Sequence, residues 1–139
     1  MANPVTEFAT LDGILNAMYE VISGPAGQPR DWDRLRSLYA PGARLMPVVA
    51  VPTPHVRVLS PEDYIRRVEP IFAKENFWER ETSRQTETFG RVAHVLSAYA
   101  SYRSADGEPF ERGTNSVQLF FDDTRWWITS VMWNTPRSA

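Results

Sequence analysis

The sequence predicts an α+β domain in which three N-terminal helices pack on a strongly bent, mostly antiparallel sheet. Apolar residues recur at three- and four-residue intervals up to residue 72, and beyond that point the period changes to strand-like alternation. The chain then closes with RGTNSVQLFFDDTRWWITSVMW at 112–133, two long strands joined by an Asp-Asp turn. Because this hairpin is too apolar to be left in water, we expect it at the centre of a curved sheet under the helices.

Size and composition limit the classes of function. With 139 residues, 42% hydrophobic and 23% charged, the chain fits a single domain spanning 1–139. A net charge of −2 with scattered arginines argues against nucleic acid as a partner. The absence of cysteine excludes disulfides and thiolate chemistry. No stretch approaches the roughly 20 apolar residues of a membrane span, and the N-terminus lacks the features of a secretory signal. We therefore expect a soluble, cytoplasmic protein with no membrane partner.

The first two helices are predicted from caps and breaks. Residues 4–22 carry one apolar stripe, with Asn3 as the cap and Pro4 at the first helical position. The glycine- and proline-rich segment 23–29 breaks this helix. A second short helix begins after a cap at Asp31 and is expected to end at Ala-Pro-Gly, 40–42.

The third helix follows a strand. Residues 43–51 are predicted to form the first strand, with Pro47 favouring an edge or an interruption. Ser60 precedes Pro-Glu-Asp, the pattern of a capped helix start. Pro70 removes a backbone hydrogen bond and is expected to kink or shorten this helix. Its apolar face is formed by Tyr64, Ile65, Val68 and Phe72.

Four strands complete the predicted sheet. Residues 76–90 are polar on both faces, which indicates an exposed or cavity-lining strand, and 91–103 indicate a better-buried one. Asp106-Gly107 marks a hairpin turn before the strands 111–121 and 125–133.

The last hairpin allows a prediction of which side chains share a face. A two- or four-residue turn through Asp122-Asp123 puts one set of alternate residues on a mainly apolar face: Asn115, Val117, Leu119, Phe121, Trp126, Ile128, Ser130 and Met132. Asn115 and Ser130 then lie close together, either bonded to each other or a buried water, or lining the polar end of a ligand pocket. The opposite face carries Phe120, Trp127 and Trp133, and resembles a dimer interface.

The chain resembles the nuclear transport factor 2-like superfamily, which includes polyketide cyclase-like and ketosteroid isomerase-like proteins. The resemblance rests on DWDRLRSLYAPGAR at 31–44, FGRVAHVLSAY at 89–99, RGTNSVQL at 112–119 and RWWITSVMW at 125–133. It is closest to a bacterial branch in which membership implies no activity. The resemblance implies a cystatin-like cone, with a bent sheet around a cavity closed by helices, and a homodimer built on the outer sheet face.

His94 and Tyr19 are the candidate catalytic residues. Imidazole titrates near neutral pH, so His94 in the cavity would be a general acid or base, whereas on the outer face it would be a structural or interfacial residue. A two-residue turn at Asp106-Gly107 places His94 opposite Leu119, on the Asn115 face. Tyr19, like Tyr64 and Tyr99, is able to donate a hydrogen bond to a carbonyl oxygen.

Other polar residues offer weaker candidates. Glu79 or Glu81 would act as a pocket base if desolvated, although a solvated edge strand is the commoner reason for such charges. His55 lies in a proline-flanked loop and is expected to be solvated. Two histidines without an acidic residue at ligand spacing predict no metal site, and no sequence motif predicts a cofactor.

Two functions remain open at this stage. The first is a binding domain for a small apolar molecule bearing a carbonyl or hydroxyl. The second is a cofactor-independent cyclase, isomerase or dehydratase. The residues expected to contact the ligand are Asn115, Ser130, Tyr64, Trp78, Trp126 and Met132.

Overall fold

A computed structural model describes residues 7–135. Three helices, α1 (Leu11–Glu20), α2 (Trp32–Leu38) and α3 (Pro61–Lys74), accompany six strands. The strands are β1 (Tyr39–Val49), β2 (His55–Val56), β3 (Trp78–Phe89), β4 (Val92–Tyr102), β5 (Pro109–Phe121) and β6 (Trp126–Asn134). The predicted α+β class, with three helices and a mostly antiparallel sheet, is confirmed.

The N-terminal helix begins later than predicted. A single helix over 4–22 is wrong, because Thr10 adopts extended backbone angles and its side chain accepts a hydrogen bond from the Gly13 amide. The hydroxyl of Thr10 thereby caps α1. The predicted cap at Asn3 and Pro4 lies outside the described residues.

The caps of the other helices are confirmed. The carboxylate of Asp31 accepts from the Arg34 amide at 3.0 Å. Ser60 and Asp63 form a capping box, in which the Asp63 amide donates to the Ser60 hydroxyl at 3.0 Å and the Ser60 amide donates to the Asp63 carboxylate at 3.1 Å. The helix continues through Pro70 to Lys74, so the proline does not shorten it.

The strands form one sheet in the order β2-β1-β6-β5-β4-β3. All neighbouring pairs are antiparallel except β1 and β6, which run parallel. The expectation that Ala-Pro-Gly at 40–42 separates α2 from the first strand is wrong, because β1 begins directly at Tyr39 and includes this segment. An irregularity between Tyr39 and Arg44, with Gly42 at φ 81°, accommodates it.

A β-bulge in the last hairpin changes the predicted faces. Near the turn, Leu119 pairs with Ile128 and Phe121 with Trp126, as predicted. The register then shifts between Gln118 and Leu119, so that Gln118 pairs with Ser130. One extra residue on β6 reverses the direction of every side chain beyond it. Val131 and Trp133 therefore share the inner face with Asn115, whereas Ser130 and Met132 lie on the outer face.

The core lies between the helices and the inner face of the sheet. Its fully buried side chains come from the N-terminal segment, α1, α2, β4, β5 and β6: Phe8, Ile14, Leu15, Leu35, Leu38, Val95, Val117, Leu119 and Ile128. In residues 7–135, none of the helices has the length and apolar character needed to cross a membrane. β3 forms one end of the sheet, and most of its residues are exposed, as expected for an edge strand.

Candidate functional site

A pocket of about 350 Å³ lies between the inner face of the sheet and the three helices. Its walls are mainly apolar and aromatic, with Met18, Ile22, Leu35, Leu45, Val68, Phe72, Phe77, Phe110, Val131 and Trp133 among the lining residues. Tyr64 on α3 meets Trp133 on β6 edge to face, with ring centroids 6.1 Å apart. A volume of this size suits a small molecule of one or two rings.

Glu79 brings a carboxyl group into this apolar pocket. The residue pairs with Ser101 across β3 and β4, and its Oε1 accepts a 3.4 Å hydrogen bond from the Ser101 hydroxyl. Burial raises the pKa of Glu79 to about 8, and the nearby negative charge of Glu111 adds to the effect. Glu79 therefore carries a proton at neutral pH and is able to donate a hydrogen bond.

Three tyrosines surround Glu79. Burial raises the pKa of Tyr39 and of Tyr64, and the Glu79 charge contributes to both. Within residues 7–135 neither hydroxyl has a hydrogen-bond partner. The Tyr99 hydroxyl, by contrast, lies 2.9 Å from the Thr135 hydroxyl, and burial raises its pKa to about 12. All three phenols therefore stay neutral, and those of Tyr39 and Tyr64 remain able to bind a ligand.

Asn115 belongs to a buried chain of hydrogen bonds. Its Nδ2 donates to the Tyr19 hydroxyl at 3.0 Å, and that hydroxyl lies 2.6 Å from the Ser97 Oγ. The Ser97 hydroxyl donates to the Glu81 carboxylate, which is paired with Arg84. Burial raises the pKa of Tyr19, so its phenol is also neutral. Tyr19 and Asn115, both predicted as site residues, are thus brought into contact, and Asn115 lines the pocket.

Charged side chains line the outer part of the pocket. The guanidinium of Arg103 lies 3.8 Å from the Glu75 carboxylate and 4.0 Å from the centre of the Phe110 ring. Arg67 also lines the pocket and is exposed to solvent. These arginines are held near the surface, whereas Glu79 has no cationic partner within 4.0 Å in the described part of the chain.

Trp78 is not in the inner pocket. It lines a more open groove of about 410 Å³ between α1 and the start of β3, together with Asn16, Tyr19, Glu20, Ser23 and the segment 79–81. Glu79 lines both spaces, and Tyr19, whose hydroxyl accepts from Asn115, lines the groove.

His94 lies on the outer face of the sheet. The register that placed it opposite Leu119 is wrong, because His94 pairs with Gln118, and Leu119 pairs with Ala93. The His94 Nε2 lies 2.9 Å from the Ser116 hydroxyl, on the same outer face. The inner pocket is therefore out of its reach. His55 is exposed in its loop, with Nδ1 2.8 Å from the Thr53 carbonyl.

Three further residues that were predicted to contact the ligand lie outside the pocket. Ser130 and Met132 are on the outer face because of the β-bulge, so the predicted proximity of Asn115 and Ser130 is wrong. Trp126 packs on Phe121 near the Asp-Asp turn, with centroids 5.1 Å apart, and does not line the pocket. Tyr64 and Asn115 are the predicted ligand contacts that do line it.

The sequence reasoning missed Tyr39 and Trp133 as pocket residues. Tyr39 was expected in a helix, and Trp133 on the outer face, so in each case an error in local geometry removed the residue from the site. Glu79 was one of two glutamates considered. The signal that favours it over Glu81 is the absence of a basic partner, which only the fold reveals.

Comparison with known proteins shows which solved structures share this fold. No protein-family profile and no curated protein matches the chain. Among solved structures, it is similar to a nuclear transport factor 2-like protein of unknown function from Silicibacter pomeroyi, with 13% identity, 97% of this chain and 100% of that chain covered, and a TM-score of 0.65. It is also similar to a proposed dehydratase of the nuclear transport factor 2-like family from Streptomyces avermitilis, with 16% identity, coverage of 98% and 100%, and a TM-score of 0.68.

A third similar structure is a cystatin-like protein of unknown function from Nostoc punctiforme, with 8% identity, coverage of 92% and 90%, and a TM-score of 0.70. The chain is therefore an α+β protein whose helices pack on a mostly antiparallel sheet. It has the nuclear transport factor 2-like, or cystatin-like, fold. At these identities the likeness establishes the fold, and the chemistry has to be argued from the pocket itself.

Proposed function

We propose that this protein is a small-molecule-binding domain whose inner pocket holds a mostly apolar ligand bearing a carbonyl or hydroxyl group. The observation that carries the proposal is the composition of the pocket, whose inner part combines aromatic and aliphatic walls with a few neutral polar groups, while charged side chains such as Arg67 and Arg103 line its outer part. Protonated Glu79 and the hydroxyls of Tyr39 and Tyr64 supply hydrogen bonds without requiring a charged ligand.

Titration with a neutral fluorescent probe tests whether this pocket binds an apolar molecule. We would titrate 1-N-phenylnaphthylamine into the wild-type protein and into Val68→Phe, which places a larger side chain in the pocket wall. Val58→Phe introduces the same change at an exposed position outside the pocket and is the matched control. We expect Val68→Phe to weaken probe binding at least tenfold, and Val58→Phe to leave it unchanged. Equal affinities for all three folded proteins would exclude the pocket as the binding site.

A second function is favoured by Glu79. A carboxyl group whose pKa lies near 8 is suited to exchange protons with a ligand near neutral pH. Together with a tyrosine hydroxyl that donates to a carbonyl oxygen, it is suited to remove a proton from the carbon next to that carbonyl. This would make the protein a cofactor-independent isomerase, cyclase or dehydratase.

Proton exchange on a simple ketone separates the two functions. 2-Tetralone in D₂O, followed by NMR, should exchange its acidic C–H protons faster in the presence of an enzyme of this kind. We expect the protein-dependent rate to rise with pH up to about 8, and Glu79→Gln to abolish it. A protein that binds the ketone without accelerating exchange would be a binding domain only.

We further propose a homodimer that covers the outer face of the sheet. Exposed apolar side chains lie in two rows that cross the strands on this face. Leu96 and Met132 belong to one row, and Val92 and Phe120 belong to the other. Such a patch is commonly buried against a partner. In sedimentation velocity, Leu96→Lys should convert a dimer into a monomer. Val58→Lys, at an exposed position before α3, should not. A wild-type monomer would contradict this proposal.

A further inference from the structure

The chain of hydrogen bonds from Asn115 to Glu81 has a defined direction. The Glu81 carboxylate, held by Arg84, is an acceptor, so the single hydroxyl hydrogen of Ser97 is donated to it. The Ser97 oxygen must then accept from Tyr19, because its own hydrogen is already used. The hydrogen of Tyr19 is used in turn, so its oxygen accepts from the Asn115 amide nitrogen. The Glu81–Arg84 ion pair at one end of this hydrogen-bond chain therefore fixes the orientation of the Asn115 amide at the other end.

This direction determines what Asn115 presents to the pocket. The residue is 6% exposed and lines the pocket, and its Oδ1 makes no hydrogen bond within residues 7–135. No fully buried side-chain oxygen or nitrogen among those residues lacks a partner, so Oδ1 is accessible from the pocket space. If the amide turned over, Oδ1 would face the Tyr19 oxygen, whose hydrogen is donated to Ser97. Two acceptors would then oppose each other without a hydrogen between them.

We propose that Asn115 is a fixed hydrogen-bond acceptor that selects ligands with a hydroxyl group, and that Tyr19 is the positioning residue that keeps its amide in this orientation. The inference rests on the proposed function of the pocket and narrows its ligand class to apolar alcohols or phenols. A ketone or ether of the same shape offers Asn115 no hydrogen and leaves Oδ1 without a partner.

A matched pair of probes tests this selection. 2-Naphthol and 2-methoxynaphthalene have the same ring system but differ in their ability to donate a hydrogen bond. We expect the wild-type protein to bind 2-naphthol about tenfold more tightly in fluorescence titrations, the factor that corresponds to one hydrogen bond. Asn115→Leu should lower this ratio to about one, with 2-methoxynaphthalene bound as before.

Tyr19→Phe tests the positioning role. This variant removes the hydroxyl that orients the amide, so Asn115 is free to present either Nδ2 or Oδ1, and the ratio should fall about threefold or more. Ser116→Ala, which removes a hydroxyl on the outer face of the same sheet, should keep the wild-type ratio. A general loss of packing would weaken both probes equally and leave the ratio unchanged, which distinguishes positioning from a structural role.

The outcomes separate the inference from the proposed function. Equal binding of both probes by the wild-type protein would overturn the inference and leave a binding pocket in place. An unchanged ratio in folded Tyr19→Phe would overturn the positioning role. If neither probe bound and Val68→Phe had no effect on 1-N-phenylnaphthylamine, the proposed function itself would fail, and the inference with it.

Discussion

The ring of Tyr99 crosses β5 directly over Gly113, its partner in the β4–β5 pairing. A Cβ atom at position 113 would lie 2.6 Å from the Tyr99 Cζ and 2.8 Å from the Asn134 carbonyl oxygen. Both distances are shorter than real Cβ contacts allow. The absence of a side chain at 113 therefore lets Tyr99 reach Thr135 with its hydroxyl and form one wall of the pocket.

Gly113→Ala should therefore destabilise the protein. The methyl group must displace the Tyr99 ring or the β6 backbone, and overpacking of this kind costs about 1–3 kcal/mol. Thermal unfolding followed by circular dichroism measures the loss. In the double variant with Tyr99→Leu, part of the penalty should disappear, because the smaller side chain leaves room for the methyl group. If the stability losses of the two substitutions were fully additive, the close approach of Tyr99 to position 113 would not be the cause.

Arg30 holds the turn between α1 and α2. Its buried guanidinium donates to four carbonyl groups, those of Ile22, Gly24, Pro25 and Gln28, at 2.8–3.2 Å. We expect Arg30→Lys to lower the free energy of unfolding by about 2–4 kcal/mol, because one ammonium cannot replace a planar group with five donors. Chemical denaturation measures this difference. Arg57→Lys, at an exposed position, should change stability by less than about 0.5 kcal/mol.

Glu79 should make stability depend on pH. Its pKa is about 8 in the folded protein and near 4.5 when unfolded, so the folded state keeps a proton that the unfolded chain releases. Stability attributable to this group is therefore present below about pH 4.5 and is lost as pH rises to about 8. We expect a loss of up to about 5 kcal/mol across this window. In urea titrations, the free energy of unfolding of Glu79→Gln should not fall over this pH range. If the variant and the wild-type protein showed the same pH profile, the raised pKa of Glu79 would be contradicted.

The capping box at Ser60 should contribute measurably to α3. Ser60→Ala removes the acceptor for the Asp63 amide, which should cost about 1 kcal/mol of folding free energy. Ser60→Asp keeps a side-chain acceptor at the same position and should retain most of the wild-type stability. The two variants are compared by thermal unfolding, and equal losses for both would show that the cap itself is not the cause.

Local sequence patterns determined much of the fold. The caps at Asp31 and Ser60, the strand alternation after residue 76 and the turn at Asp122-Asp123 depend on neighbours within a few positions. Such signals act before distant parts of the chain meet, so they are visible in the sequence. The α+β class follows from them.

The site was harder to predict because it depends on register. A single extra residue in β6 moved Ser130 and Met132 to the outer face and brought Val131 and Trp133 inward, and the β4–β5 pairing moved His94 outward. No residue type marks such a shift, because strand side chains repeat every two residues and either register satisfies the local pattern.

The sequence by itself therefore determined the class of fold, the starts of α2 and α3, and the presence of Tyr19, Tyr64 and Asn115 among the candidate residues. Only the tertiary structure decided that Tyr19 and Asn115 touch and that Glu79 lies in the pocket with no cationic partner within 4.0 Å among residues 7–135. Contacts between residues almost one hundred positions apart, such as Tyr19 and Asn115, are set by packing of the whole sheet against its helices. The energy of a buried charge or hydrogen bond depends on those surroundings, which no local pattern contains.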